Sequence, residues 1–147
     1  MIKIDFGSGY NPKRGYKTCD FTNSPNLDYL ARGNRIYSRS GEVKENTVNE
    51  IYCRNVIHHI KDFDDLFNNF YKYIKKNGKL KIIDCRKDYY YSNFFMDRLW
   101  YRFINYSPNI YISENYRDYE TACKKAGFIL INKSYKEEKE ILVFKKI

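Results

Sequence analysis

Residues 2–12, IKIDFGSGYNP, decide how the rest of the chain is read. Ile2, Ile4 and Phe6 alternate with Lys3 and Asp5, the two-residue period of a strand. Gly7-Ser8-Gly9 then breaks the run. A strand that runs into Gly-x-Gly brings bare backbone against whatever lies beyond its end. Glycine has no Cβ to hold a neighbour off, and it accepts positive φ. Two readings stand at this point, a ligand-binding loop and an ordinary turn. A dinucleotide-binding GxGxxG would place a third glycine at position 12 and a helix directly after it. Pro12 stands there instead, and Lys13-Arg14-Gly15 read as loop.

Outward from this stretch, residues 16–21 (YKTCDF) form a second strand candidate that ends on Asp20. Only nine residues, 7–15, separate the two strands. A parallel crossover with its helix needs about a dozen or more, so the first helix is expected to be missing or reduced to a turn. Ser24-Pro25 then reads as the start of a short helix, with serine at the N-cap and proline at the first helical position. Leu27, Leu30 and Ala31 supply its apolar face, and Gly33 stops it. Residues 35–38 read as a short third strand.

Val48, Ile51 and Cys53 belong to a buried strand, after which Arg54-Asn55 turn into Val56-Ile57-His58-His59-Ile60. Residues 63–76 have helical periodicity, with Phe63, Leu66, Phe67, Phe70, Tyr73 and Ile74 on one side. Asp62, Asp64 and Asp65 suit the positive N-terminal end, and Lys75 and Lys76 the C-terminal end. Asn77-Gly78 caps the helix, and residues 79–85 (KLKIIDC) form the next strand, completing a βαβ unit. Residues 86–115 are crowded with aromatics and hold Arg98 and Arg102 four apart, on a helix expected over 93–104. A last helix over 116–126, capped by Gly127, precedes an antiparallel pair of strands over 128–133 and 141–146.

The spacing Asp5-x-Gly7-x-Gly9 resembles motif I of the class I methyltransferases, which bind S-adenosylmethionine (SAM). The order Gly7-Ser8-Gly9, Pro12, Gly15-Tyr16, Asp20 is similar to a short form of that family in which the first helix is absent. Residues 48–60 resemble motif IV of many small-molecule methyltransferases, where the segment after a polar turn ends in a pair such as His58-His59. The resemblance implies an α/β fold with a three-layer Rossmann-like sheet of about seven mostly parallel strands and an antiparallel last strand. It also implies a single domain over 1–147, with 86–115 as a lid or substrate insert.

Under the same resemblance, Asp5, Gly7, Ser8, Gly9, Asp20, Ser38, Arg54 and Asn55 are the candidate cofactor-binding residues. Asp20 has a physical reason for its place, since a carboxylate at a strand end can accept both hydroxyls of an adenosyl ribose. Ser38-Arg39 stand near the place of an acidic adenine contact. His58 and His59 are the catalytic candidates, and the sequence does not choose between them. Methyl transfer from a sulfonium needs alignment, and a hydroxyl or amine acceptor must also lose a proton, which imidazole can take near neutral pH. Tyr90, Arg98 and Arg102 are the substrate-binding candidates, suited to an anionic, polar acceptor. The expected activity is that of an EC 2.1.1 methyltransferase, with S-adenosylhomocysteine (SAH) as product and a small polar metabolite, phosphorylated or sugar-linked, as acceptor.

The bulk composition bounds these readings. The chain has 147 residues, long enough for one full core, with 43% hydrophobic and 31% charged residues. Against 18 Asp and Glu stand 27 Lys and Arg, a net charge of +9 that favours anionic partners. A nucleic-acid-binding or nucleic-acid-methylating protein on the same fold is the alternative, because arginine interleaved with aromatics also suits base stacking. A degenerate, non-catalytic fold is a third reading. Cys19, Cys53, Cys85 and Cys123 form no CxxC pair, so free thiols and no metal site are expected. No apolar run approaches the ~20 residues that span a bilayer, no leader is visible, and the chain is expected to be cytoplasmic, with a homodimer among the options.

Overall fold

The computed structural model describes residues 1–22, 26–85 and 118–147. Among the described residues nine strands form one sheet: β1 (Ile2–Phe6), β2 (Lys17–Asp20), β3 (Tyr29–Arg32), β4 (Arg35–Ser38), β5 (Gly41–Glu42), β6 (Val48–Arg54), β7 (Ile74–Cys85), β8 (Ile129–Lys136) and β9 (Lys139–Lys145). Their order across the sheet is β5-β4-β3-β2-β1-β6-β7-β9-β8. Strands β3, β2, β1, β6 and β7 run parallel, while β9 lies antiparallel between β7 and β8. The chain leaves β1 toward one side of the sheet and later returns to its other side as β6. Such a reversal of strand order leaves a crevice beyond the carboxyl ends of the strands.

Two helices, α1 (Phe63–Tyr73) and α2 (Tyr119–Lys125), complete the described fold. Asp62 caps α1 by accepting the Asp65 N–H at 3.0 Å, and Asp118 caps α2 by accepting that of Thr121 at 3.0 Å. Both helices pack on one face of the sheet. Phe70 of α1 meets Phe6 edge-on with ring centres 5.0 Å apart, and Tyr119 of α2 meets Phe63 at 5.8 Å. Ile4, Phe6, Ile51, Cys53, Leu80, Ile82, Leu142 and Phe144 supply the sheet side of this core, alternating along each strand as the pleat requires.

Between β1 and β2 the predicted missing helix is indeed absent, and residues 7–16 cross as an irregular loop. The mostly parallel sheet with its antiparallel end also matches the expected class. Of the helix expected from Ser24-Pro25 to Gly33, the described residues 26–33 form none: Tyr29–Arg32 is a strand, and the short strand at 35–38 pairs antiparallel with it as a hairpin. Gly33, at φ 57°, makes the turn, and only Ala31 of the supposed apolar face is buried. With β5, this hairpin brings the sheet to nine strands rather than about seven.

Helix α1 ends at Tyr73 instead of Lys76 because Ile74, fully buried, enters the sheet beside Val48. Gly78 is required where it stands, since a Cβ there would lie 2.9 Å from the Asn49 carbonyl oxygen. Cys19, Cys53 and Cys123 are buried free thiols, as their setting suggested. Among the described residues no helix is long and apolar enough to cross a membrane.

Candidate active site

The loop after β1 is held in place largely by polar contacts. The N–H groups of Gly7 and Ser8 both donate to the Cys19 carbonyl, at 2.8 and 3.0 Å. Gly9 N–H donates to Asp20 Oδ2 at 2.7 Å, which ties the glycine turn to the end of β2. The Lys13 N–H donates to Asp5 Oδ2 at 2.7 Å, and Arg54 Nη2 donates to the Asn11 carbonyl at 2.8 Å. Tyr16 closes the loop over the sheet by donating its hydroxyl to Glu50 Oε1 at 2.6 Å, and Lys13 lies over the Tyr16 and Tyr52 rings.

Gly7 and Gly9 both have positive φ, 73° and 53°, but they serve different needs. A Cβ on Gly7 would meet the Val56 side chain at 2.4 Å, so this glycine lets the turn after β6 close against β1. A Cβ on Gly9 would meet nothing within 4 Å among the described residues, so this glycine fronts open space there. Ser8 is 5% exposed, and its hydroxyl has no hydrogen-bond partner among the described residues. Asp5 is 2% exposed, and burial pushes its carboxyl above the usual range despite the Lys13 N–H and the charge of Arg54.

The topology therefore gathers Asp5, Gly7, Ser8, Gly9, Asp20, Arg54 and Asn55 at the carboxyl ends of β1, β2 and β6. Asn55 turns the chain there with φ 54°, and its N–H donates to the Ile83 carbonyl at 2.9 Å. Ser38 stands apart from this group. Strand β4 runs antiparallel to β3, so Ser38 ends up toward the start of β2, lining a separate cavity with Lys17, Asp28 and Arg39. Its hydroxyl donates to the Gly41 carbonyl at 3.1 Å within that turn. Tyr90, Arg98, Arg102, the helix over 93–104 and the insert over 86–115 lie outside the described residues.

His58 and His59 sit in a 3-10 turn, Ile57–His59, directly after the Val56 that packs on Gly7. His58 Nδ1 lies 2.8 Å from Asp84 Oδ1, and the two imidazole rings are 4.0 Å apart. Asp84, near the end of β7, was missed at the level of sequence, as were the Tyr16–Glu50 and Lys13–Asp5 contacts. One signal was available, a carboxylate interrupting the apolar run Ile82-Ile83 of KLKIIDC.

A family model described as a methyltransferase domain matches residues 5–133. The chain belongs to the class I methyltransferase family. S-adenosylmethionine is accordingly the cofactor of this methyltransferase domain. Over 46 residues the domain is 50% identical to phosphoethanolamine N-methyltransferase 1 of Triticum aestivum. That stretch is 31% of this chain and spans only 9% of the wheat protein's length.

Among solved structures, a SAM-dependent methyltransferase of Thermotoga maritima superposes with a TM-score of 0.69 at 12% identity. The match covers 99% of this chain and 82% of the other. Phosphoethanolamine N-methyltransferase 2 of Haemonchus contortus, in complex with S-adenosyl-L-methionine, gives a TM-score of 0.56 at 20% identity. Here 88% of this chain covers 33% of the nematode protein. At these identities the structural likeness is one of fold.

Proposed function

We propose that the protein transfers a methyl group from SAM to a small polar acceptor that carries an amine and an anionic group, with phosphoethanolamine as the first candidate. The observation that carries the cofactor half is the glycine turn itself. Gly9 fronts open space while its N–H is bonded to Asp20, and the buried Ser8 hydroxyl beside it is unsatisfied among the described residues. These features suit an adenosyl group: backbone approach at Gly9, a carboxylate for ribose hydroxyls at Asp20, and a buried donor at Ser8. Asp5 and Arg54 would hold the loop that borders it. SAM would supply an activated methyl on a sulfonium, and the protein would align the acceptor with it and keep water out.

The acceptor half is supported by the 46-residue similarity to a phosphoethanolamine enzyme and by the net charge of +9, which favours an anionic ligand. Titration calorimetry with SAH should give one site per chain. Asp20→Ala should weaken it by more than about tenfold, as expected for a lost charge-assisted pair of hydrogen bonds. Absence of heat at millimolar SAH would overturn the cofactor site. Binding of SAH without methylation of phosphoethanolamine would overturn the acceptor alone.

A further inference from the structure

We propose that the second face of the sheet, where β7, β9 and β8 lie side by side, docks on an anionic membrane surface. Both described helices pack on the other face, against Phe6, Leu80, Ile82, Leu142 and Phe144. Over β1 and β6 the second face is covered by the loop after β1, where the Tyr16 hydroxyl reaches Glu50 and Lys13 lies over the Tyr16 and Tyr52 rings. No described helix lies on β7, β9 and β8 from that side. A largely parallel sheet is ordinarily covered on both faces.

Side chains alternate along a strand, so Lys79 and Lys81 flank the buried Leu80, and Val143 and Lys145 flank the buried Phe144. The register sets Lys79 beside Lys145, Lys145 beside Ile129, and Lys81 beside Val143. Among the described residues this face carries no carboxylate on the three strands. Glu50, across from Lys79 on β6, already accepts from the Tyr16 hydroxyl and lies 3.9 Å from Lys3. The side chains of Lys79, Lys81 and Lys145 have no hydrogen bond or ion pair among the described residues. Like charges directly opposite each other destabilise a sheet, and nothing in the described fold offsets the Lys79–Lys145 repulsion. An anionic surface outside the fold would.

Two features favour lipid over nucleic acid as that surface. Ile129 and Ile131 on the edge strand β8 are 47% and 49% exposed, and apolar side chains beside lysines suit the boundary between headgroups and acyl chains. The aromatic rings of this face, Tyr16 and Tyr52, already meet each other and Lys13, so they offer no free platform for stacking bases. A second copy of the chain would set lysines against lysines. Lys79 lies level with Lys3, near the start of β1, so docking leaves open the crevice at the carboxyl ends of the strands. The proposal does not depend on which acceptor is methylated.

Flotation of the whole chain with vesicles tests it. Vesicles of phosphatidylcholine and phosphatidylserine at about three to one should carry the protein at low salt and release it as salt rises. Vesicles of phosphatidylcholine alone should leave it in solution. Lys79→Glu with Lys145→Glu should weaken binding by more than about tenfold, since each lysine near a charged membrane is worth about fivefold. The same change of charge on the helical face, Lys72→Glu with Lys125→Glu, should leave binding within about twofold of wild type, because those positions stay beyond the reach of the screened surface. Ile129→Ser with Ile131→Ser should weaken binding without altering its dependence on salt. Lys145→Glu alone should raise the melting temperature while lowering vesicle binding, because it turns a like-charge pair into an opposite one.

Should the doubly reversed chain fail to fold, Lys79→Gln with Lys145→Gln should show a loss in the same direction. Absence of flotation with the anionic vesicles would overturn the proposal, as would an equal loss in the helical-face variant. A lower melting temperature for Lys145→Glu would remove the repulsion on which the proposal rests. Binding of a single-stranded oligonucleotide through the same lysines, with Ile129 and Ile131 of no consequence, would make the partner a nucleic acid and overturn it equally.

Discussion

The two βxβ crossovers on either side of the switch point are built on different physics. Between β6 and β7 the chain makes the usual unit, with a capped helix whose buried face of Leu66, Phe67, Phe70 and Tyr73 covers the sheet. Between β1 and β2 there is no helix, and the link is a loop fastened by side chain to backbone contacts from Asp5, Asp20 and Arg54. Apolar burial is non-directional and tolerates small shifts, whereas a hydrogen bond specifies a position. The helical crossover therefore carries stability. The loop crossover carries geometry, and it lies at the carboxyl ends of β1 and β6, where the strand order reverses.

The largest expected effect breaks the helical side. Phe70→Ala removes a fully buried ring that touches Phe6 and Phe67, and should cost about 3–5 kcal/mol in chemical denaturation. A loss below about 1 kcal/mol would mean that α1 is not the stabilising crossover. Next comes the point where the two crossovers touch. Gly7→Ala puts a methyl against Val56 at a positive φ, and should cost about 2 kcal/mol or more from backbone strain and overpacking together.

In a Val56→Gly background, which removes both the Cγ2 and the Cβ that the methyl would meet at 2.4 and 2.6 Å, Gly7→Ala should cost less, with only the strain left. If Gly7→Ala costs as much in that background as in wild type, the Gly7–Val56 approach is not what the glycine serves. A smaller effect, about 1 kcal/mol, is expected for Asp62→Ala, which removes the α1 cap while leaving the loop crossover and SAH binding untouched.

The smallest effect sharpens the contrast from the polar side. Burial raises the Asp5 carboxyl above its ordinary value, so the folded chain holds a proton there more tightly than the unfolded chain. Native Asp5 thus favours folding most at low pH, and that contribution is lost as pH rises from the ordinary carboxyl value through the raised one. Asp5→Asn removes this titration and keeps an acceptor for the Lys13 N–H. Relative to wild type, its melting temperature should therefore gain between acid and neutral pH. A constant difference between the two proteins across that range would show that Asp5 does not titrate in this way.

Much of the candidate site's geometry was legible because its signals are local. A strand that runs into Gly-x-Gly, a nine-residue link too short for a helix, and an aspartate at a strand end are all read within a few residues, and the structure places them together. Asp62 at the start of α1 is local in the same sense. The hairpin at Tyr29–Ser38 was not legible. Leu27, Leu30 and Ala31 fit a helical period, but over so few residues the period is ambiguous, and pairing with β2 on one side settled it as strand. That same pairing turned Ser38 away from the glycine loop.

By itself, then, the sequence determined the class of fold, the glycine turn, the missing first helix and the family, since each depends on residue type and short spacing. Only the tertiary structure decided where α1 stops, because the burial of Ile74 beside Val48 outweighs one more helical turn. It alone separated the roles of Gly7 and Gly9, because what a Cβ would meet is a matter of distant neighbours. It alone brought Asp84 within 2.8 Å of the His58 ring. Asp84 lies on β7, and no local pattern encodes which ring it reaches.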